Sequence, residues 1–167
     1  MILVLLGTQN NSFHRLLEEV QKNIDNGNIK EEVIVQKGYT KFESEKMTLY
    51  NQLPLDEIKQ LTEKADLIIT HGGVGSIINS IEKNKKVIAI PRLKKYSEHV
   101  NDHQLDIIKS FNELGYIIGL NGVEELEDAL KNVQDFEPKE YIKNTGNILK
   151  IVEDFIDNNW SKKIINI

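Results

Sequence analysis

The stretch Asp66-Leu67-Ile68-Ile69-Thr70-His71-Gly72-Gly73-Val74-Gly75-Ser76-Ile77-Ile78-Asn79 decides the fold. Leu67–Thr70 is a short, continuously apolar run of the kind that forms a strand covered on both faces. It runs into a glycine-rich turn, and the turn opens a helix over Ser76–Lys83. Strand, tight turn and helix form the building unit of a parallel α/β sheet, and ligands bind beyond the carboxyl ends of such strands. Gly72, Gly73 and Gly75 let the backbone approach a ligand closely. The free N–H groups at the start of the next helix carry partial positive charge and suit the oxygens of a phosphate or diphosphate. Three glycines alone also fit an unliganded turn. His71 before them adds an imidazole able to donate to a ligand oxygen, although a satisfied core histidine fits that position too.

Working outward, the same alternation repeats. Strands are predicted at Ile2–Leu6, Glu32–Gln36, Leu67–Thr70, Val87–Ile90 and Tyr116–Ile118, with Met47–Tyr50 as an edge strand. Helices are predicted at Phe13–Ile24, with Ser12 as N-cap, and at Leu55–Lys64, Ser76–Lys83, Asn101–Asn112 and Val123–Asn132. A last helix is expected from about Pro138 to Trp160, broken near Gly146. The order predicts one α/β domain over residues 1–167, a Rossmann-like, doubly wound parallel sheet.

Composition narrows the function classes. With 21 basic and 26 acidic residues the 167-residue chain carries a net charge of −5, which argues against general nucleic-acid binding. It has no cysteine, so disulfides, thiolate metal sites and cysteine nucleophiles are excluded. No apolar run approaches the ~20 residues of a membrane span. The opening Met1–Leu6 run reads as a buried strand and not as a signal peptide. We therefore expect a cytoplasmic protein, held at a membrane only through a partner.

Nucleotide motifs of the common kinds are absent. There is no G-x-x-x-x-G-K-[ST], and the spacing of Gly72, Gly73 and Gly75 is not G-x-G-x-x-G. Two other turns lie at carboxyl ends of strands. Gly7-Thr8-Gln9-Asn10-Asn11-Ser12 follows the first strand, where Gly7 permits a bend and Thr8 offers a hydroxyl and an N–H; a polar loop capping a helix is the plainer reading. Pro91-Arg92-Leu93-Lys94-Lys95-Tyr96-Ser97-Glu98-His99-Val100-Asn101-Asp102-His103-Gln104 follows the fourth. Between Lys83 and Lys95 lie six basic residues and no acidic one, a local reversal that suggests an anion or an anionic membrane surface. By contrast, residues 124–140 carry seven carboxylates and two lysines, a solvated outer face. His99 and His103 stand four apart, but without H-E-x-x-H, so hydrogen bonding to nucleotide or sugar hydroxyls suits them better than a metal. A polar helix start with Asn101 as N-cap accounts for much of the same segment.

Taken together, Gly7-Thr8, Val35-Gln36-Lys37-Gly38, His71-Gly72-Gly73-Val74-Gly75-Ser76 and Pro91-Arg92…Asp102-His103-Gln104 resemble the donor-binding half of a GT-B glycosyltransferase. The closest likeness is to the C-terminal domain of glycosyltransferase family 28, over roughly residues 1–133. Within it the chain resembles the small subunits of two-component capsule and exopolysaccharide glycosyltransferases and of the dolichol-linked chitobiose UDP-GlcNAc transferase.

The resemblance implies a UDP-sugar as donor. It assigns Gly7 and Thr8 to a diphosphate-facing turn, and Gly72, Gly73, Gly75 and Ser76 to the loop that holds the UDP phosphates. Asn79 stands where most members place a carboxylate on the ribose, and Leu53 precedes the helix near which the uracil packs. Asp102, His103 and Gln104 match positions that contact the transferred sugar. His71, Arg92 and His99 are the expected stabilisers of the departing diphosphate, so no metal or other cofactor is expected. One GT-B half needs another: a membrane-anchored partner subunit would supply the acceptor site, and the acceptor would be a polyprenyl-diphosphate-linked sugar at the inner membrane face. The reaction implied is inverting transfer of a hexose, with galactose favoured and glucose or N-acetylglucosamine possible, in polysaccharide biosynthesis. A non-catalytic sugar-nucleotide-binding or regulatory subunit is the alternative. The C-terminal stretch of about 138–167, with Trp160, Ile164, Ile165 and Ile167, is expected to dock on the partner or on another copy of the chain.

Overall fold

The computed structural model describes residues 1–142. Among these the order is β1 (Ile2–Leu5), α1 (His14–Asp25), β2 (Val33–Gln36), β3 (Thr48–Tyr50), α2 (Leu55–Lys64), β4 (Leu67–His71), α3 (Val74–Ile81), β5 (Lys86–Ile90), α4 (His103–Glu113), β6 (Ile118–Gly119) and α5 (Leu126–Asn132). The six strands are all parallel and lie in the order β3-β2-β1-β4-β5-β6. This is the doubly wound arrangement expected from the sequence, and the winding reverses between β1 and β4.

Alternation along the strands divides the core in two. Ile2, Val4 and Leu6 pack with Phe13, Leu16, Leu17 and Val20 of the first helical segment and with Leu126 and Ala129 of α5. Leu3 and Leu5 point to the other face, against Ile77 and Ile81 of α3 and Ile107, Ile108 and Phe111 of α4. Because successive side chains of a strand point to opposite faces, a strand apolar at every position needs a helical layer on each side.

Several boundaries differ from the sequence expectation. Ser12 is not a cap: α1 starts at His14 with Phe13 in the N-cap position, and the N–H of Phe13 donates instead to Thr40 Oγ1 at 3.0 Å, from the loop after β2. The helix after β4 begins two residues early, at Val74. The helix after β5 begins two residues late, at His103, where the Asn101 side-chain oxygen accepts the His103 N–H at 3.3 Å. The sixth strand shrinks to Ile118–Gly119, with Tyr116 and Ile117 buried ahead of it. The final helix finds no beginning at Pro138. Residues 138–142 form no regular element; the Lys139 N–H donates to the Gly115 carbonyl at 2.9 Å, and Tyr141 meets the Tyr116 ring edge-on. The rest of that helix and the proposed docking tail lie outside the described residues. None of the described helices is long and apolar enough to cross a membrane.

Candidate functional site

Parallel strands leave their loops at one end, and the reversal between β1 and β4 opens a crevice there. A cleft of about 370 Å³ occupies it, lined by Gly7 and Thr8 after β1, His71 at the end of β4, and Gly73, Gly75, Ser76 and Asn79 along α3. Leu55 and Ile58 of α2 form its apolar wall. The structure thus gathers most of the proposed donor-binding residues.

The donor groups of the cleft follow from the helix start. The N–H of Gly73 turns back to the His71 carbonyl at 2.8 Å, and the first helical bond is that of Ile77 to the Gly73 carbonyl. The N–H groups of Val74, Gly75 and Ser76 precede that bond and are the unpaired donors every helix start leaves. No side chain caps them. Gly75 and Ser76 line the cleft.

His71 sits between two glycines. A Cβ at Gly7 would lie 2.7 Å from its Cε1, and one at Gly73 would collide with its Nε2. Gly7 also has φ +76°, so it is required both for the turn and for the space. The Nδ1 faces the Leu5 carbonyl at 3.3 Å, an acceptor, which places the proton on Nδ1 and leaves Nε2 as the lone-pair nitrogen. Burial, reinforced by the charge of Arg92, lowers its pKa from 6.5 to about 4. At neutral pH His71 is therefore an uncharged acceptor. It becomes the expected donor only after taking a proton.

Arg92 departs from the expected contact with ligand. It is 1% exposed, and its guanidinium donates to main-chain carbonyls: Nη2 to Leu6 at 2.5 Å, and Nη1 to Asn11 at 2.7 Å and Glu98 at 3.4 Å. Its plane packs against Phe13, with 5.1 Å from Cζ to the ring centre. Burial lowers its pKa to about 10, so it stays charged at neutral pH. Its contribution to the cleft is a fixed positive field, felt by His71, and a brace on the Leu6–Asn11 turn.

Gln104 likewise is a brace and not an exposed sugar ligand. Its side-chain oxygen accepts the N–H of Gly72 at 3.1 Å and that of Arg92 at 3.0 Å, tying the loop after β4 to the loop after β5. Gly72 is needed beneath it, because a Cβ there would lie 2.7 Å from Gln104 Cβ. Gly72 therefore supports the cleft from behind, its own N–H already spent. Leu53 also falls outside the cleft lining; its N–H is held by Gln36 Oε1 at 3.0 Å, and Leu55 and Ile58 supply the apolar surface instead.

The remaining residues belong to the loop after β5. Asp102 accepts the Lys94 N–H at 2.7 Å and remains exposed, while His103 Nδ1 lies 3.7 Å from Asp106. His99 is half-buried, with Nδ1 beside the main chain of Asn101, and close enough to His71 to help lower its pKa. It precedes α4, so its four-residue spacing from His103 is not a helical one. Among the described residues no group of three His, Asp or Glu side chains is placed to hold a metal ion.

Glu98 stands outside the expected site residues. This carboxylate is 3% exposed, accepts two bonds from Arg15 at 2.8 Å each, and accepts the Leu93 N–H at 3.0 Å. Arg15 in turn stacks on Tyr96, with 3.9 Å from Cζ to the ring centre. The basic run from Lys83 to Lys95 also divides. Lys83 pairs with Glu63, Lys85 donates to the Glu63 carbonyl and Lys86 to the carbonyls of Val133 and Gln134, all ahead of or at the start of β5, whereas Arg92, Lys94 and Lys95 lie beyond its carboxyl end.

Comparisons with known proteins bear on the fold and the family. The chain is 39% identical over 75 residues to the UDP-N-acetylglucosamine transferase subunit ALG13 of Candida albicans, a match covering 45% of this chain and 24% of that protein. To the human protein of the same name it is 33% identical over 76 residues, covering 46% of this chain and 6% of the relative. The match thus takes in a minor part of each relative's length. Among solved structures, the NMR solution structure of ALG13 superposes with a TM-score of 0.57 at 19% identity, covering 90% of this chain and 92% of that one. Acinetobacter baumannii MurG does so with 0.55 at 16%, over 78% of this chain and 40% of that one. The fold is that of GT-B glycosyltransferases. The sequence profile of the glycosyltransferase family 28 C-terminal domain matches residues 1–158, and the chain belongs to that family.

Proposed function

We propose that the chain is the donor-binding catalytic subunit of a two-component inverting glycosyltransferase, moving a hexose from a UDP-sugar to a polyprenyl-diphosphate-linked acceptor. The observation that carries this reading is the row of unpaired N–H groups from Val74 to Ser76 at the edge of a cleft of about 370 Å³. In a displacement at the anomeric carbon the diphosphate leaves with growing negative charge, and oriented amides need no rearrangement to meet it. Arg92 adds its charge from beneath. An arriving diphosphate also favours protonation of His71 Nε2, which then donates to the departing oxygen. His99, Asp102 and His103 on the neighbouring loop are the proposed contacts for the sugar side.

The relatives are named UDP-N-acetylglucosamine transferase subunits, which supports a UDP-hexose with N-acetylglucosamine among the candidates. They lend no support to galactose. The same names, each of a subunit, support a second polypeptide carrying the acceptor. We place the complex at the inner membrane face, with the chain peripheral to it.

Calorimetric titration with UDP, UDP-GlcNAc, UDP-glucose, UDP-galactose and GDP-mannose tests the donor site; binding of uridine nucleotides in preference to GDP-mannose is expected. Transfer in membranes carrying the partner, lost in His71→Ala with the complex intact, separates catalysis from mere binding. Saturation by no uridine nucleotide overturns the proposal.

A further inference from the structure

Exposed apolar side chains gather at one end of the molecule. Among the described residues the large ones are Tyr39, Tyr50, Leu55, Tyr96, Val100 and Ile142, and all but Ile142 stand at the carboxyl end of the sheet. Leu55 belongs to the wall of the cleft. Tyr39 (58% exposed), Tyr96 (48%) and Val100 (76%) lie outside it, on the loops after β2 and β5. A row of contacts joins these two loops across the start of α1. His14 Nδ1 lies 3.0 Å from the Lys41 carbonyl, and its ring meets Phe42 edge-on at 5.2 Å. Arg15, the next residue, stacks on Tyr96, and Lys95 Nζ lies 4.8 Å from the centre of the same ring.

Cations accompany the aromatic rings. Lys37, Lys41, Lys94 and Lys95 belong to the same two loops, and none of them pairs with a carboxylate among the described residues. Lys37 and Lys41 line, with Tyr39, an open hollow of about 580 Å³. The acids nearby are engaged: Glu98 is buried on Arg15, Asp102 holds the Lys94 N–H, and Glu18 faces His14 at 3.5 Å. Beyond Phe42 the loop descends along α1, where Ser44 donates to Gln21 and Lys46 pairs with Asp25, so Glu43 and Glu45 leave this end. A chain of net charge −5 thus turns a basic, aromatic rim outward. Exposed apolar groups of this kind mark a protein or a membrane contact. Protein interfaces favour arginine and are poor in lysine, and the one arginine of this rim is spent on Glu98. Tyrosine at the headgroup level with lysines beside it is the pattern of a membrane surface.

We infer that this rim docks on an anionic lipid bilayer, with Tyr39 and Tyr96 at the headgroup level and the four lysines on lipid phosphates. The cleft stays open in that pose, because its walls, α2 and α3, pack on the face of the sheet opposite α1. The inference rests on the peripheral location proposed above and names the surface and the lipid charge that produce it.

The test is sedimentation of the full chain with vesicles of phosphatidylcholine alone and of phosphatidylcholine with phosphatidylglycerol. Binding to the anionic vesicles only is expected. It should fall tenfold or more when salt rises from about 0.1 M to about 1 M, which shortens the screening length from about 10 Å to about 3 Å. Lys41→Glu/Lys95→Glu should weaken binding at least tenfold, and Lys37→Glu/Lys94→Glu is a second pair with the same expectation. Lys30→Glu/Lys64→Glu changes the net charge equally, but ahead of β2 and β4 at the amino end of the sheet, and should weaken binding threefold or less. Unfolding midpoints of all three pairs confirm that each is folded. No binding to anionic vesicles, equal binding to both kinds of vesicle, or equal loss in the pairs at the two ends overturns the inference. Calorimetric titration with UDP checks the donor site separately: Lys41→Glu/Lys95→Glu should bind it as the wild type does. A wild type that binds anionic vesicles but no uridine nucleotide upholds the docking rim and overturns the donor-site reading alone.

Discussion

His71 and Gly73 are packed so closely that a single methyl group at 73 would fall on the imidazole Nε2. The φ of Gly73 is an ordinary −82°, so the residue is glycine for want of room and not for backbone freedom. Gly7 bounds the same ring from the other side. Ring, turn and helix start are therefore one unit.

Gly73→Ala must displace the ring and is expected to cost about 1–3 kcal/mol, the usual penalty of overpacking. UDP affinity should fall at least tenfold. Gly75→Ala is the companion variant, because a Cβ there meets nothing within 4 Å. It should keep or raise stability, by up to about 1 kcal/mol from helix propensity, while still weakening UDP by narrowing the approach to the amides. Urea unfolding and calorimetry of the two variants check both statements; wild-type stability in Gly73→Ala would show that the ring is not confined.

The pKa of His71 makes stability depend on acid. The unfolded chain binds this proton near 6.5 and the folded chain only near 4, so between those values the unfolded state holds more protons and stability falls as pH falls. The full difference is about 3 kcal/mol, present above pH 6.5 and lost by pH 4. Urea unfolding of wild type and His71→Asn from pH 4 to 7.5 should show a shallower slope for the variant across that window.

Binding a diphosphate should reverse the preference for the neutral ring. Titrations with UDP near pH 6 in buffers of different ionisation enthalpy are expected to show net proton uptake by the wild type. His71→Asn should take up fewer protons at the same pH. Equal uptake by the two would assign the proton to another group.

The bracing residues should act on stability before they act on ligand. Gln104→Leu leaves the buried N–H groups of Gly72 and Arg92 unpaired, at about 1–3 kcal/mol each. Glu98→Gln breaks a buried bidentate pair with Arg15, at about 3 kcal/mol or more. Gln104→Glu retains the acceptor oxygen and should cost less than Gln104→Leu. Denaturant midpoints for the three variants decide it.

The parts of the site that the sequence disclosed are those whose chemistry is local. Gly73, Val74, Gly75 and Ser76 are adjacent residues, and the unpaired amides follow from one strand-to-helix turn. Arg92 and Gln104 were recognisable as important, but their partners lie on Leu6, Asn11 and Gly72, and only the fold reveals that their polar atoms are spent on main chain. Glu98 looked like one acid in a mixed polar loop, because Arg15, its partner, is 83 positions away. Leu55 is 66% exposed and shares one face of α2 with Ile58, so the apolar wall they form is visible only once that face is placed against the cleft. The strands were legible for a simpler reason: buried on both sides, they need apolar residues at every position.

The two outermost strands, β3 and β6, are only three and two residues long. An incoming chain that tried to lengthen the sheet would find few main-chain groups to bind at either border, so templated growth into fibrils is disfavoured. A protein docking at either border would have to recognise this chain by the shape and charge of its side chains, an interface that mutation can tune residue by residue.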